Sequence, residues 1–278
     1  MLVNLNDVLL KARKEGYAVG LFNTTDTDML EAAISAAEEM NSPIIIGTAE
    51  VLLPFGELDL IAPSIIAKAK AAKVPVVVHY DHGLTVERCK QALSLGFSSI
   101  MFDGSANDYE ANIKQTREMV EYAHKLGASV EGEIGHVGDA TIGDNLATDR
   151  YTTVKEAKDF YEATGVDALA IAIGTAHGAY KFKPVLNIDR LKEIRDNVDV
   201  PLVLHGGSGL SDDDFKNTIA NGIAKINIFT DLCVEGINAM KDAVEHGLDY
   251  LKTRNLKVEY IKEAIIKKIK LFGSQNKA

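Results

Sequence analysis

The stretch Pro201–Leu210 reads PLVLHGGSGL and combines a short strand, a glycine-rich turn and the start of a helix. Its apolar run, Leu202–Leu204, is typical of a parallel strand that is buried on both faces. The glycines after His205 let the backbone turn tightly and present N–H groups to an anion. Taken alone, the stretch fits two interpretations equally well: a metal ligand beside a phosphate-binding turn, or a structural histidine before a turn.

The same unit of strand, turn and helix recurs along the whole chain. The predicted strands are Ala18–Phe22, Pro43–Gly47, Val74–Tyr80, Ser99–Phe102, Ser129–Ile134, Ala168–Ile173, Leu202–Leu204 and Ala224–Ile228. Strands that alternate with helices without interruption indicate a parallel sheet. With this number of strands and this length, the sequence predicts an α/β fold, the (β/α)8 TIM barrel. An open, doubly wound sheet is the alternative, because periodicity does not show whether a sheet closes.

No linker or change of composition divides the chain, so we predict a single domain over residues 1–278. An amphipathic N-terminal helix, Leu5–Glu15, precedes the first strand, and a helix over Lys257–Leu271 forms a C-terminal extension. Thr25 is the predicted N-cap of the helix that follows the first strand.

Composition favours a soluble, cytoplasmic protein. The 278 residues carry a net charge of −10, which argues against a nucleic-acid-binding surface but not against an anionic small molecule held by N–H groups. The two cysteines form no disulfide framework. No apolar stretch approaches the roughly 18 residues of a membrane span, and the N-terminus turns polar too early for a secretory signal. We therefore expect neither a membrane nor a nucleic acid as a partner.

Polar side chains stand where the predicted strands end, and in a barrel these ends share one open face. They are Asn23, Asp81, His82, Asp103, Glu131, Glu133, His177, His205 and Asn227. A lone histidine at a strand end is more often structural, but three from separate strands match the open zinc sites of enzymes. Asp81 also fits a group that orients an imidazole, or a helix cap.

The remaining charged groups near these ends have plainer interpretations. Glu131 and Glu133 project to the same side of their strand, as an acidic wall of a metal site or as a rim of salt bridges. His79 is expected to face the barrel interior in a structural role. No lysine is expected at a strand end that faces the cavity.

A phosphate site is predicted after the seventh and eighth strands, where barrels of this kind often bind phosphate. Gly206, Gly207 and Ser208 offer N–H groups and a hydroxyl, and a helix begins just after them. The loop Asn227–Asp231 adds the Thr230 hydroxyl and a second helix N-terminus. Each loop alone is weak evidence, and together they favour phosphate.

Five motifs, in this order, resemble the class II, zinc-dependent ketose-bisphosphate aldolases. They are HYDHG (79–83), SVEGEIG (129–135), AIAIGTAHGAY (170–180), LVLHGGSGL (202–210) and KINIFTDL (225–232). The family includes fructose- and tagatose-1,6-bisphosphate aldolases. The resemblance implies reversible cleavage of such a sugar phosphate to dihydroxyacetone phosphate and an aldehyde such as glyceraldehyde 3-phosphate, through a zinc-stabilised enediolate. A homodimer or homotetramer is common in the family.

Residue by residue, the resemblance implies a metal centre and a substrate site. It implies His82, His177 and His205 as ligands of Zn²⁺, and Asp81 as the proton donor and acceptor. The positions matching an alternative metal site are Asp103, Glu131 and Glu133. The positions matching the substrate and phosphate site are Asn23, Gly178, Gly206, Gly207, Ser208, Asn227, Ile228, Phe229 and Thr230. A monovalent cation, Na⁺ or K⁺, is implied near the phosphate.

The chain departs from the family pattern in three places. One is NTTDTD (23–28) after the first strand, where Asn23 is kept. The polar stretch after the fifth predicted strand, GHVGDATIGDN (135–145), is expected to form a lid but lacks the family's loop glutamate. Asp139 or Asp144 is the expected substitute. Phe229 stands where a smaller or polar residue is more usual, so we expect it to alter the sugar pocket. The alternatives to an aldolase are a zinc-dependent hydrolase on the same barrel and a non-catalytic sugar-phosphate-binding protein.

Overall fold

Parallel strands close into a barrel in the computed structural model, which describes residues 1–135, 137–139, 151–178, 180 and 184–278. The strands in this part of the chain are β1 (Leu2–Val3), β2 (Val19–Asn23), β3 (Ile44–Ala49), β4 (Val76–Gly83), β5 (Ser99–Phe102), β6 (Ser129–Ile134), β7 (Gly138–Asp139), β8 (Ala168–Ile171), β9 (Ala176–His177), β10 (Leu202–Leu204) and β11 (Ile223–Ile228). The barrel runs β4-β3-β2-β11-β10-β8-β6-β5, and β5 pairs with β4 to close it. This confirms the predicted TIM barrel and rules out the open sheet.

Helices connect the barrel strands and cover their outer faces. Those in the described ranges are α1 (Leu5–Glu15), α2 (Thr27–Glu39), a 3₁₀ helix η1 (Glu50–Phe55), α3 (Leu58–Ala71), α4 (Val86–Leu95), α5 (Tyr109–His124), α6 (Val154–Thr164), α7 (Ile188–Asn197), α8 (Asp212–Ala220), α9 (Thr230–Glu245) and α10 (Tyr250–Phe272). None of them is long and apolar enough to cross a membrane. That the whole chain is a single domain stays a prediction.

Two predicted helix starts are wrong, one because of a local capping carboxylate and the other because of ion pairs with another helix. Asp26, not Thr25, caps α2, because its carboxylate accepts the N–H groups of Asp28 and Met29 at 2.9 and 2.8 Å. The helix α10 begins at Tyr250, seven residues before the prediction. Its first turns carry basic groups that pair with acidic groups of α2, as Arg254 does with Asp28. Tertiary ion pairs therefore favour helix in a segment that has little apolar periodicity.

The helix α1 closes the N-terminal end of the barrel. Its buried side chains, Leu5, Leu9 and others, pack against inward-facing residues at the lower ends of the strands, such as Val77 and Val203. The short strand β1 pairs with β4 beside them. The carboxyl ends of the strands therefore form the open face, where a barrel carries its site.

The period of two along each strand divides its residues between the barrel interior and the helix layer. On β4, Val76, Val78 and Tyr80 pack with the helices, whereas Val77 belongs to the inner cluster. The same alternation places His79 of β4 in the interior, together with the polar residues Glu131 and Glu133 of β6 and Lys225 and Asn227 of β11. Polar layers thus lie above an apolar floor.

Candidate active site

A register shift at the end of β4 aims two neighbouring side chains into one cavity. The pairing of β4 with β5 shifts between Tyr80 and Gly83, and His82 adopts φ of 43°, in the left-handed region that side chains rarely occupy. Asp81 and His82 consequently both line the cavity instead of pointing to opposite faces. Backbone strain of this kind collects at functional sites.

The three histidines predicted from the strand ends come together around one point. The centroid of the His82 ring lies 4.7 Å from that of His177 and 4.5 Å from that of His205. One ring nitrogen of each lies within 4.8 Å of the others. The rings reach this point from β4, from β9 and from the residue after β10. The structure thus brings together the whole predicted histidine set.

Carboxylates orient the rings of His82 and His205, and a buried nitrogen without a partner is left on His82 and on His177. His82 Nδ1 lies 2.7 Å from Asp103 Oδ2, and His205 Nε2 lies 2.7 Å from Glu131 Oε1. The Nε2 atoms of His82 and His177 are buried and have no hydrogen-bond partner among the described residues. Burial and repulsion from His82 lower the pKa of His177 to about 3, which keeps this imidazole neutral, the form that binds metals. Buried unpaired nitrogens beside carboxylate-oriented rings fit a zinc ion.

Asp81 is held as a carboxylate beside the histidines. It is buried, and its oxygens accept the amides of Asn23 at 2.7 Å and Asn227 at 3.0 Å. Burial raises its pKa, but attraction to His82 and Lys225 outweighs burial and holds the pKa well below its ordinary value. Asp81 is therefore ionised at neutral pH.

The two glutamates of β6 have different surroundings, although both are buried. Glu131 lies between His205 and Lys225, whose Nζ is 2.8 Å from Glu131 Oε2. Burial raises the pKa of Glu131, but Lys225 and His205 lower it to about 2. Glu133 lines the cavity instead, and burial together with Asp103 raises its pKa to about 8. Three residues were predicted for the alternative metal site. Asp103 and Glu133 lie close enough to His82 to share a metal ion with it, whereas Glu131 is not part of this group.

A buried lysine beneath the cavity was not anticipated from the sequence. Lys225 Nζ lies 2.8 Å from Asn227 Oδ1 and 2.8 Å from Glu131 Oε2, one layer below the cavity wall. Lys225 is not among the described residues that line the cavity. The expectation that no lysine at a strand end faces the cavity stays a prediction. The signal was present in the motif KINI, because Lys225 and Asn227 are two apart and share one face of β11.

His79 faces the barrel interior, as predicted. It is fully buried, with Nδ1 2.7 Å from Ser99 Oγ, and its Nε2 lies 3.9 Å from both Asp81 Oδ1 and Glu131 Oε2. Burial and the Lys225 charge lower its pKa to about 3, so this imidazole is neutral. That its role is structural stays a prediction.

The predicted phosphate residues form the wall of the cavity at β10 and β11. They are Gly178, Gly206, Gly207, Ser208, Asn227, Ile228, Phe229 and Thr230. The Ser208 hydroxyl oxygen joins the two loops, because it accepts the N–H groups of Phe229 at 3.2 Å and Asp231 at 3.4 Å. At Gly206, φ is +66° and a Cβ would lie 2.3 Å from the carbonyl oxygen of Ala176. Only glycine allows this close approach of the backbone.

The cavity has a volume of about 730 Å³ and is lined by Asn23, Asp81, His82 and His177, whereas His205 is fully buried next to them. Five of the residues that sequence reasoning missed lie together in its wall: Val51, Leu52, Leu84, Ser105 and Ala106. They lie on η1 and on the loops after β4 and β5, and no periodic pattern marks them. Among the described lining residues there is no lysine or arginine.

The two predicted loop acids, Asp139 and Asp144, lie at the edge of the described residues and beyond it. Asp144 lies outside the described residues, as does the middle of the predicted lid. Only the backbone of Asp139 is described, and it pairs with His177 where β7 meets β9. The strand pair β7–β9 therefore connects the start of this segment with a histidine of the site.

Comparison with known proteins gives the same family as the geometry. The model of the family described as fructose-bisphosphate aldolase class-II matches residues 3–277. The chain belongs to this family. It is 43% identical to the YdjI protein of Escherichia coli K12 over 268 residues, 96% of each chain. It is 36% identical to the fructose-bisphosphate aldolase of Staphylococcus aureus, covering 100% of this chain and 99% of the relative.

Solved structures agree over the full length. The crystal structure of the YdjI aldolase from Escherichia coli K12 matches with a TM-score of 0.92 and 40% identity, covering 100% of both chains. The fructose-bisphosphate aldolase of Campylobacter jejuni matches with a TM-score of 0.81 and 26% identity, covering 100% of this chain and 97% of that one. The resemblance inferred from five motifs is thereby confirmed as family membership.

Proposed function

We propose that the chain is a zinc-dependent aldolase that acts on a ketose phosphorylated at C1, a 1-phosphate or a 1,6-bisphosphate of the fructose or tagatose type. It cleaves the C3–C4 bond reversibly, giving dihydroxyacetone phosphate and an aldehyde such as glyceraldehyde 3-phosphate. One observation carries the proposal: His82, His177 and the ionised Asp81 line one cavity with the glycine-rich turns of β10 and β11, and the buried His205 lies against both of these histidine rings. Family membership supports the reaction type.

The residues that would hold the zinc ion are His82, His177 and His205. The orphaned nitrogens and the carboxylate partners described above support this assignment. When bound, zinc supplies a Lewis acid that polarises the carbonyl and hydroxyl oxygens of the substrate. Asp103 and Glu131 fix the rings, and Lys225 in turn fixes Glu131.

Asp81 is the proposed proton acceptor and donor. In cleavage it takes the proton of the C4 hydroxyl, the electrons of the C3–C4 bond pass to the dihydroxyacetone phosphate half, and C3 then gains a proton that comes from water. In condensation Asp81 returns the proton. Its lowered pKa keeps it ionised, and the amides of Asn23 and Asn227 hold both of its oxygens in place.

The phosphate on C1 is proposed to bind the turns after β10 and β11. The N–H groups of Gly206, Gly207, Ile228 and Thr230 and the hydroxyls there are the natural donors, because a helix N-terminus attracts an anion. A monovalent cation, Na⁺ or K⁺, is proposed beside this phosphate. A cytoplasmic location and a homodimer or homotetramer stay predictions.

The proposal is tested with His205→Ala, and His246→Ala is the matched control because His246 is exposed and lies outside the site. We expect His205→Ala to lose bound zinc, measured by elemental analysis, together with cleavage of ketose phosphates. EDTA should inactivate the native protein. Normal activity in His205→Ala, or activity that survives EDTA, contradicts the proposal.

Exchange of the C3 hydrogen of dihydroxyacetone phosphate with tritiated water separates the alternatives. An aldolase catalyses this exchange, because condensation begins with removal of that proton. A zinc hydrolase on the same barrel gives no exchange, and a binding protein gives neither exchange nor turnover.

A further inference from the structure

We infer that the substrate is a ketose 1-phosphate whose distal end carries no phosphate, so that the aldehyde half is uncharged. This inference rests on the proposed function and narrows it. It is drawn from the cavity wall that faces the phosphate-binding turns.

The two walls lie opposite one another in the barrel. Between β10 and β5 lie the two strands β8 and β6, and between β11 and β4 lie the two strands β2 and β3. The loops after β4 and β5 therefore face the turns after β10 and β11 across the open end. A substrate anchored by its C1 phosphate at the turns and by its carbonyl at the histidines directs its distal carbons towards this facing wall, which we call the distal wall.

The distal wall is apolar and open to solvent in its upper part. It consists of Leu84 after β4 and of Ser105 and Ala106 after β5, together with Val51 and Leu52 of η1, which contacts the loop after β4 through Glu50. Val51 and Leu84 are 63% and 51% exposed, unusual values for large apolar side chains that line a cavity. Such side chains suit a carbon chain better than a phosphate dianion.

The polar donors of the distal wall are already occupied by carboxylates of the protein. Glu50 Oε2 accepts the N–H of Leu84 at 2.8 Å and the N–H of Thr85 at 3.3 Å, at the N-terminus of α4. Asp103 Oδ1 accepts both the N–H and the hydroxyl of Ser105, at 3.1 and 2.7 Å. The places where an anion would bind are thus taken by internal anions.

A second phosphate would meet like charge at this wall. Glu50 lies behind Leu84, and the Asp103 carboxylate borders the cavity next to it. No lysine or arginine in the described lining offsets them. On the opposite wall the backbone turns and helix α9 present N–H groups, so the cavity is electrostatically asymmetric and suits a molecule with one anionic end.

The test compares two aldehydes in condensation with dihydroxyacetone phosphate on the zinc-loaded full chain. We expect glyceraldehyde to show a higher kcat/KM than glyceraldehyde 3-phosphate, by about tenfold. Equal or lower kcat/KM for glyceraldehyde overturns the inference while leaving the aldolase reaction in place. Failure of the tritium exchange, which needs no aldehyde, overturns the proposed function and this inference with it.

A substitution in the distal wall provides an independent measurement. Leu84→Arg places a cation in the wall and should shift the kcat/KM ratio towards glyceraldehyde 3-phosphate by at least tenfold. Leu126→Arg is the matched control, because Leu126 is similarly exposed, at 57%, and lies outside the cavity. It should leave the ratio unchanged. A ratio that Leu84→Arg does not alter shows that the distal end does not approach this wall, and overturns the inference.

Discussion

Replacing Lys225 by methionine tests the buried charge pair beneath the site. The Lys225 ammonium and the Glu131 carboxylate are both fully buried and lie 2.8 Å apart. Methionine keeps most of the volume but leaves the Glu131 charge without its cation, and such a loss costs about 3–5 kcal/mol. In a chain of this size 1 kcal/mol shifts the unfolding midpoint by roughly 2–4 °C, so we expect Tm to fall by roughly 6–20 °C.

Unfolding by heat and by urea, after metal has been removed with a chelator, measures this change without a contribution from bound zinc. The double variant Lys225→Met/Glu131→Gln removes both charges and should recover most of the lost stability. Lys241→Met, at an exposed lysine of α9, is the control and should change little. A loss below about 1 kcal/mol in the single variant, or losses that simply add in the double variant, would refute the reasoning.

Two further predictions concern a ring-orienting carboxylate and the helix α10. Asp103→Asn weakens the group that fixes His82 Nδ1, so zinc affinity measured by competition with a chelator should fall 10–100-fold; unchanged affinity contradicts the orienting role. Arg254→Met should lower the free energy of unfolding in urea by about 0.5–1 kcal/mol at neutral pH, because solvent screens this half-exposed pair. The hydrogen bond from Arg254 lowers the pKa of Glu31, so its contribution is present above the ordinary carboxyl pKa and is lost as the pH falls through the lowered value. The effect should therefore shrink at pH 3, and an equal loss at both pH values contradicts it.

The barrel strands and the histidine set were predictable because each depends on local pattern. Short apolar runs ended close to the observed strand ends, and residues that follow parallel strands share one face whatever the details of packing. His82, His177 and His205 could thus be grouped without knowledge of distances. Family motifs then added the role of Asp81, which composition and period alone leave open.

Neither the distal wall nor the burial of Lys225 was predicted from the sequence, and the reasons differ. The 3₁₀ helix η1 is held by contacts of Glu50 with the loop after β4, which are remote in sequence. Lys225 sits inside a strand, where a charged residue usually indicates a solvent-exposed face. Its burial depends on Glu131 arriving from β6 on the other side of the barrel. The alternation of residues along β6 also could not tell the role of Glu131 from that of Glu133, because both side chains point into the barrel and differ only in the residues that they contact.

The side chain of Asn227 contacts three functional groups at once. Its Nδ2 lies within hydrogen-bond distance of Asp81 and of His205 Nδ1, and its Oδ1 is held by Lys225. Changes at β11 must therefore be accommodated jointly by Asp81, by His205 and by the buried charge of Lys225. The distal wall lies on the loops after β3, β4 and β5, and none of its described residues forms a hydrogen bond with the Asn227 amide. Substrate range can consequently diverge through loop substitutions during evolution while the chemical step is inherited unchanged.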